Sequence, residues 1–284
     1  MILADAILAC KLCFYGPDNM AFDAKGVLYV TDSDGEQHAR ILRLAGDGTA
    51  LWSWNAFSYV KGARNGPEGI AIDREGTVYV TDGGASKILE IFPGGKIVRT
   101  FGNGAVRFDD LGHIAIDPTG NIYVSEAGPN FIMKFSAAGT LVAQWHRPKG
   151  KGVDAWGGPE TIATQPNGNL VVEDWPNRRI EILSPDGTTV TLFGKAGRDP
   201  GEFLNSAGLG VDAQGNIYVA DDALHRVQKF DSNGRFIGVV ADERTFQSGG
   251  PTAVAIDAAG NLYSPDGKSI VKYSQKGDVL ARWQ

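Results

Sequence analysis

Residues 66–84 read GPEGIAIDREGTVYVTDGG. Small apolar and polar residues alternate in this stretch. The alternation is interrupted at Arg-Glu-Gly, resumes, and ends at an acid followed by two glycines. Similar segments begin at Gly16, Leu111, Gly158, Ser206 and Gly250. Their turn glycines, Gly26, Gly76, Gly120, Gly168, Gly215 and Gly260, are separated by 50, 44, 48, 47 and 45 residues. The chain is therefore a sixfold repeat, and this period decides the fold.

Each repeat has the period-two alternation of β-strands and lacks helical spacing. Four strands fit in one repeat, as in IAID, YVTD, SKILEIF and KIVRTFG of the second. The turns between them carry glycine or asparagine, which tolerate the positive φ of tight hairpins. A four-stranded antiparallel unit that recurs six times predicts an all-β fold, a six-bladed β-propeller.

The repeats occupy residues 16–284, which we interpret as one propeller domain, and residues 1–15 remain for an extra N-terminal strand or strap.

The chain has a net charge of -6 and no long basic block, which argues against nucleic acid as a partner. It has no apolar run long enough to cross a bilayer, so we expect no membrane association. A cytoplasmic location is the default expectation, and a trimmed secretory leader stays open.

The chain contains two cysteines, Cys10 and Cys13. A single C-x-x-C pair without nearby histidines is weak evidence for zinc or redox chemistry. We therefore expect buried structural cysteines.

The segments GPEGIAID, GTVYVTD and KILEIF resemble NHL repeats, as does the long stretch from Phe193 to Ile237, FGKAGRDPGEFLNSAGLGVDAQGNIYVADDALHRVQKFDSNGRFI. The resemblance covers residues 16–284 and implies a six-bladed propeller. The layout is also similar to that of gluconolactonase and regucalcin-type enzymes and of peptide-amidating lyases. NHL propellers include binding modules as well as enzymes, so the resemblance implies a fold and leaves the function open.

The long loops of this pattern lie at one end of the propeller, where each first strand begins, and functional residues are common on such loops. The two residues before each first strand are Asp18-Asn19, Glu68-Gly69, Gly112-His113, Glu160-Thr161, Ala207-Gly208 and Thr252-Ala253. Acids that gather around a channel repel one another unless a cation or hydrogen-bond donors compensate. We predict that Asp18, Glu68, His113 and Glu160 share one opening there.

Two interpretations of these residues compete. In the first they bind a divalent metal ion, since carboxylates favour calcium, magnesium or manganese and the histidine would allow zinc. In the second the acids belong to the repeat pattern and are held by nearby backbone N–H groups. The similarity of PDNMAFD to the gluconolactonase P-D-G motif implies a metal ligand and base at Asp18, although the asparagine pair of those enzymes is missing. No organic cofactor is indicated.

A second set of acids closes each second strand: Asp32, Asp82, Glu126, Asp174, Asp221 and Asp266. Arg40, Lys87, Arg179, Arg226 or Ser269 follows before the third strand in five repeats. In NHL repeats a similar pairing is a structural brace, and we expect the same here.

Aromatic and basic residues lie beside the same end. Asn19, Tyr59, Arg64 and Trp156 are the candidates for contact with a small-molecule substrate, because pockets combine aromatic surface with a few polar groups. The alternative for the aromatic rings is packing between blades.

Two functions remain. One is a metal-dependent hydrolase or lyase of a small ester, lactone or related carbonyl compound, with Asp18 and Glu68 as catalytic residues. The other is a non-catalytic propeller that binds a protein, peptide or small ligand on the long-loop face.

Overall fold

The computed structural model describes residues 13–35, 38–55, 66–92, 94–101 and 108–284. Within these ranges the chain forms six sheets, each of four antiparallel strands that pair in their order along the chain. The helices of the described part are two short 3-10 turns, Trp175–Asn177 and Asp222–Leu224. No helix of these ranges is long and apolar enough to cross a membrane. The predicted six-bladed β-propeller is confirmed.

The strand bounds follow the sequence repeat. Blade one contains β1 (Pro17–Phe22), β2 (Leu28–Ser33), β3 (Ala39–Leu44) and β4 (Ala50–Trp54); blade two contains β5 (Pro67–Ile72), β6 (Val78–Asp82), β7 (Lys87–Ile91) and β8 (Ile97–Phe101); blade three contains β9 (Leu111–Ile116), β10 (Ile122–Glu126), β11 (Phe131–Phe135) and β12 (Leu141–His146). Blade four contains β13 (Pro159–Thr164), β14 (Leu170–Asp174), β15 (Arg179–Leu183) and β16 (Thr189–Phe193); blade five contains β17 (Ser206–Val211), β18 (Ile217–Asp221), β19 (Arg226–Phe230) and β20 (Phe236–Ala241); blade six contains β21 (Ala255–Ile256), β22 (Leu262–Asp266), β23 (Ser269–Tyr273) and β24 (Val279–Trp283).

The first strands of the blades form the innermost ring. Each contacts the first strand of the next blade, and β21 contacts β1, so the ring closes. Their side chains line a central channel of about 310 Å³. A Cβ on Gly69 would lie 2.8 Å from the Cα of His113, and one on Gly208 would lie 2.5 Å from the Cα of Ala253. Larger residues at these two positions would push neighbouring blades apart.

The inner strands begin with a β-bulge in the first five blades. In blade one, Pro17 pairs with Asp32 and Met20 pairs with Val30, so Asp18 and Asn19 stand opposite the single residue Thr31. The same irregularity occurs at the starts of β5, β9 and β13. A bulge interrupts the alternation of side chains and redirects those at the strand end. This geometry directs residues at positions 18, 68, 113 and 160 toward the channel mouth.

The second-strand acids brace the loops that enter the blades. Asp32 accepts hydrogen bonds from the backbone N–H groups of Tyr15 and Gly16 and from Arg40, at 2.7–2.9 Å. Arg179 and Arg226 pair in the same way with the acids of their own blades, Asp174 and Asp221.

In blade six the brace partner differs from the prediction. Asp266 pairs with Arg282 of the fourth strand, while Ser269 donates to the backbone oxygen of Asp266 at 2.8 Å. Burial alone would raise the pKa of Asp266, but the Gln247 N–H group and the Arg282 guanidinium lower it below its usual value.

The N-terminal segment is described from Cys13 onward. Phe14 is buried among residues of blades one and six, so the chain before β1 packs on the junction where the ring closes. The predicted strand or strap at residues 1–15 lies otherwise outside the described residues, as does Cys10. Cys13 is exposed and disulfide-bonded, so the expectation that it is buried is wrong; its position before the first blade leaves it outside the core.

The closure between blades six and one depends on packing, because every sheet is built from one continuous repeat. Trp283, at the end of β24, is 9% exposed and packs in a cluster with Leu28, Val30 and Leu44 of blade one. A Cβ on Gly48 would lie 2.5 Å from its indole ring. This contact joins the two ends of the repeat array.

Replacing Trp283 by alanine is expected to lower the free energy of unfolding by about 3 kcal/mol, because the substitution leaves a large cavity at the closing junction. Leu280→Ala, on the same strand at a side chain that is 52% exposed, is the matched control and should change stability little. Urea denaturation of both variants measures the difference. Equal stability of the two variants would show that closure does not depend on this ring.

Candidate functional site

A cavity of about 330 Å³ opens at the long-loop end of the channel. Asp18, Glu68, His113 and Glu160 all line it. These residues come from four different blades, and all four are partly exposed. The structure thus brings the predicted set together at one opening, and their chemical roles stay a prediction.

The predicted substrate contacts are placed differently. Trp156 is fully buried, its indole N–H donates to Glu181 at 2.6 Å, and the Arg147 guanidinium lies 4.5 Å from its ring centroid. It is therefore a packing residue between blades and is not part of the cavity lining. The aromatic residue of the lining is Trp175, which is 39% exposed. Tyr59 and Arg64 lie outside the described residues.

Asn19 orients His113 at the boundary between the cavity and the channel. The Asn19 side-chain oxygen accepts the Met20 N–H at 2.7 Å, so the amide nitrogen is the atom that faces His113. That nitrogen lies 2.8 Å from Nδ1 of His113. Because the amide nitrogen is a donor, Nδ1 accepts, and the neutral ring carries its proton on Nε2. His113 is thereby preset as a hydrogen-bond donor through Nε2.

A row of hydroxyl groups supports the bulged strand starts in blades one to three. Thr31, Thr81 and Ser125 occupy the position before each brace acid and accept the N–H groups of Asn19, Gly69 and His113 at 2.8–2.9 Å. Thr81 and Ser125 also donate to carbonyl groups of the following blade, Gly112 at 2.7 Å and Glu160 at 2.5 Å. These hydroxyls tie neighbouring inner strands together.

Blade four has a glutamate, Glu173, where those blades have a hydroxyl. Glu173 lines the cavity and is fully buried. Neither of its carboxyl oxygens has a hydrogen-bond partner. Burial raises the pKa of Glu173 to about 7. The nearby Ser206 and Thr161 hydroxyls lower it, and the charge of Glu160 raises it further.

Glu173 was not among the residues predicted from the sequence. The signal was available in the repeat alignment, because the residue before the brace acid is Thr31, Thr81, Ser125, Glu173, Ala220 and Pro265 in the six blades. Only blade four has an ionisable group there. The alternating pattern of YVTD predicts that the side chain at this position faces inward. Burying a carboxyl group there is costly unless it has hydrogen-bond partners.

The predicted metal ligands do not form a compact set. Within the described ranges, no three side chains of His, Cys, Asp or Glu lie close enough together to hold one ion. Asp18, Glu68, His113 and Glu160 share a cavity, and metal binding by them stays a prediction. The chemistry that this arrangement supports uses protein side chains: carboxylates that can accept protons and an imidazole N–H that can donate.

Comparisons with known proteins agree with the fold. A family profile described as "Strictosidine synthase-like, N-terminal" matches residues 59–84. NHL repeat-containing protein 3 of Homo sapiens is 28% identical over 145 residues, which cover 48% of this chain and 39% of that protein. Peptidyl-alpha-hydroxyglycine alpha-amidating lyase 1 of Drosophila melanogaster is 33% identical over 122 residues, 38% of this chain and 21% of the lyase.

The chain therefore spans well under half the length of these two relatives. Among solved structures, a streptogramin B lyase superposes with a TM-score of 0.67 at 15% sequence identity, over 96% of this chain and 84% of the other. At that identity the likeness concerns the fold alone. Together with the repeats, these findings support an NHL-type six-bladed propeller.

Glu173→Gln is expected to change how stability depends on pH. The folded protein keeps the Glu173 proton up to about pH 7, whereas an ordinary glutamate, as in the unfolded chain, releases it near 4.5. Between these values the folded state binds more protons, so the free energy of unfolding falls as pH rises, by at most about 1.4 kcal/mol per pH unit from this group.

The glutamine variant lacks this component and should gain stability relative to the wild type as pH increases through this window. Urea denaturation of both proteins at about pH 5 and about pH 8 measures the change. If the difference in stability between Glu173→Gln and the wild type is the same at the two pH values, the raised pKa of Glu173 is contradicted.

Proposed function

We propose that the protein is a lyase that acts on a small ester, lactone or related carbonyl compound in the cavity at the long-loop end. The observation that carries the proposal is the convergence of Asp18, Glu68, His113 and Glu160 on one cavity. A lyase needs a group that accepts a proton and a group that donates one, both within reach of the same substrate. A lyase among the relatives that are similar in sequence supports the same reaction class.

The proposed reaction is an elimination. Asp18 or Glu68 accepts a proton from the carbon next to a carbonyl group, and the electron pair of that C–H bond becomes a C=C bond. The ester C–O bond on the following carbon breaks, and its electrons stay on the oxygen, which leaves as a carboxylate and takes up a proton. The Nε2–H group of His113 donates a hydrogen bond to an oxygen on which negative charge develops.

β-Butyrolactone tests the reaction class, because its ring oxygen is on the carbon beyond the acidic C–H bond. Elimination isomerises the lactone to crotonic acid, which has the same mass, whereas hydrolysis adds water, so mass spectrometry separates a lyase from a hydrolase. His113→Ala should reduce turnover roughly 100-fold, as expected for loss of a hydrogen-bond donor to the developing negative charge. His146→Ala, at an exposed histidine of β12, should retain full activity. If no ester or lactone with this arrangement reacts, the lyase proposal fails.

Metal dependence, predicted from the sequence, is tested separately. Elemental analysis of protein purified without chelator determines whether a divalent ion is present at stoichiometric amounts. If Asp18 and Glu68 bind one, the double variant Asp18→Asn plus Glu68→Gln should lose it, and EDTA should lower the melting temperature of the wild type alone. A metal content that is the same in both proteins would remove these two residues from any metal site.

A second candidate is a non-catalytic propeller that binds a partner on the long-loop face. The observation in its favour is a set of hydrogen bonds that hold two of the described loops of that face. Arg179 donates to the backbone oxygens of Gly152 and Ala155 at 2.9 and 2.5 Å, and Arg226 donates to those of Arg198 and Glu202 at 3.0 and 2.8 Å. The brace arginines thus also fix the loops before blades four and five, and preorganised loops favour recognition. A chain of a nidogen/laminin complex has the same fold, with a TM-score of 0.65 at 22% identity.

A further inference from the structure

The cavity has a second wall, formed by residues that were not predicted from the sequence. Asp18, Glu68, His113 and Glu160 come from blades one to four, whereas Glu173, Ser206 and Thr252 line the cavity from blades four, five and six. Ser206 is the first residue of β17, and Thr252 occupies in blade six the position that Asp18 has in blade one. Thr252 thus occupies one of the strand-start positions that define the site, Ser206 lies one residue before the equivalent position of blade five, and Glu173 lies on the second strand of blade four.

This wall concentrates polar atoms that have no partner. Nine buried side-chain nitrogen or oxygen atoms of the described residues lack a hydrogen bond, and four of them belong to Glu173, Ser206 and Thr252. Glu173 and Ser206 are fully buried. An unpaired buried polar atom costs about 1–3 kcal/mol, so several of them at one cavity wall indicate a group that binds there.

The absence of partners has a local cause in the described part of blades four to six. In blades one to three, Thr31, Thr81 and Ser125 hold the bulged strand starts through their hydroxyls. The equivalent residues in blades four to six are Glu173, Ala220 and Pro265. Ala220 has no side-chain donor for the neighbouring Ser206, and Glu173 is longer than the hydroxyl residues that it replaces. Polar groups on this side are left to face the cavity.

We infer that Glu173, Ser206 and Thr252 form a subsite that binds the carbonyl oxygen of an ester or lactone by hydrogen-bond donation, an inference that rests on the proposed function. Each of the three groups can donate one hydrogen bond when Glu173 is protonated. An ester offers acceptors and no donors, so it matches such a wall. As the ester oxygen gains charge in the elimination, these donors stabilise it more strongly.

The charges around Glu173 favour its protonated form. Burial raises the pKa of Glu173 to about 7 and the neighbouring Glu160 carboxylate adds to this effect, against opposing contributions from Ser206, Thr161 and Arg178. The other titratable groups on the cavity wall are Asp18, Glu68, His113 and Asp222. At about neutral pH a substantial share of the molecules therefore carries the Glu173 proton.

γ-Butyrolactone is the binding probe, because it presents a lactone carbonyl but has no oxygen on the carbon that elimination requires. Ligand-observed NMR titrations give its affinity for the wild type at about pH 6 and about pH 8. We expect binding about tenfold weaker at the higher pH, since Glu173 then loses its proton. Glu173→Gln keeps a donor of similar shape and should bind the lactone with no pH dependence, and Ser206→Ala and Thr252→Val should each weaken binding several-fold.

Glu126→Gln is the matched control. Glu126 is also buried and its pKa is also raised to about 7 by burial, but it accepts the N–H groups of Asp109 and Asp110 and is not part of the cavity lining. Its variant should bind the lactone like the wild type and keep the pH dependence. Circular dichroism confirms that each variant is folded before its affinity is interpreted.

Other outcomes overturn the inference. If the lactone affinities of the wild type and of Glu173→Gln respond identically to pH, the proposed subsite is wrong. It is also wrong if a crystal soaked with the lactone shows only water at Glu173. If the protein binds methylammonium more strongly as pH rises and does not bind the lactone, the wall binds a cation and the inference is wrong.

The two proposals fail in different ways. If the wild type binds γ-butyrolactone with the expected pH dependence but does not convert β-butyrolactone, the lyase proposal fails and the subsite remains. If it converts β-butyrolactone and Glu173→Gln has the same rate and pH profile, the subsite fails and the lyase proposal remains.

Discussion

The close approach of six first strands around one axis is the constraint on which the rest of this structure depends. Where Gly69 meets His113 and Gly208 meets Ala253, a single added Cβ would collide with the backbone of the next blade. The side chains of these strands line the channel. At the long-loop end the strands begin with a bulge, where two residues stand opposite one. The position of the candidate site therefore follows from the packing of the inner ring.

The same constraint explains why buried acids fall into two groups. Asp174 and Asp266 lie at strand ends, where incoming loops present N–H groups and another strand of the same blade supplies an arginine, so their burial is compensated. Glu173 lies one residue earlier, in the position that contacts the inner strand, and it has no such partners. Two neighbouring carboxyl groups on one strand thus have opposite environments. Burial with partners stabilises a blade, whereas burial without them adds a cost that binding of a ligand can recover.

Much of the architecture could be predicted from the sequence, because the repeat shows both the strand period and the number of blades. The convergence of Asp18, Glu68, His113 and Glu160 was predictable too, since equivalent positions of a radial repeat meet at the axis. The location of Trp156 was harder to predict, because aromatic residues are common both in pocket walls and in the buried contacts between blades. Its packing depends on Arg147 and Glu181. Arg282 as the brace of blade six comes from the fourth strand, so local spacing did not reveal it.

Glu173 shows how a repeat can be analysed for function. Residues that match in every blade, such as the brace acids, serve the architecture that all blades share. A chemical site needs groups that differ around the axis, because a substrate has no sixfold symmetry. Hydroxyls recur in blades one to three, and the equivalent positions in blades four to six are Glu173, Ala220 and Pro265. This break divides the cavity into a side with histidine and carboxylates and a side with unpaired donors. Such an asymmetry allows one end of a substrate to be distinguished from the other.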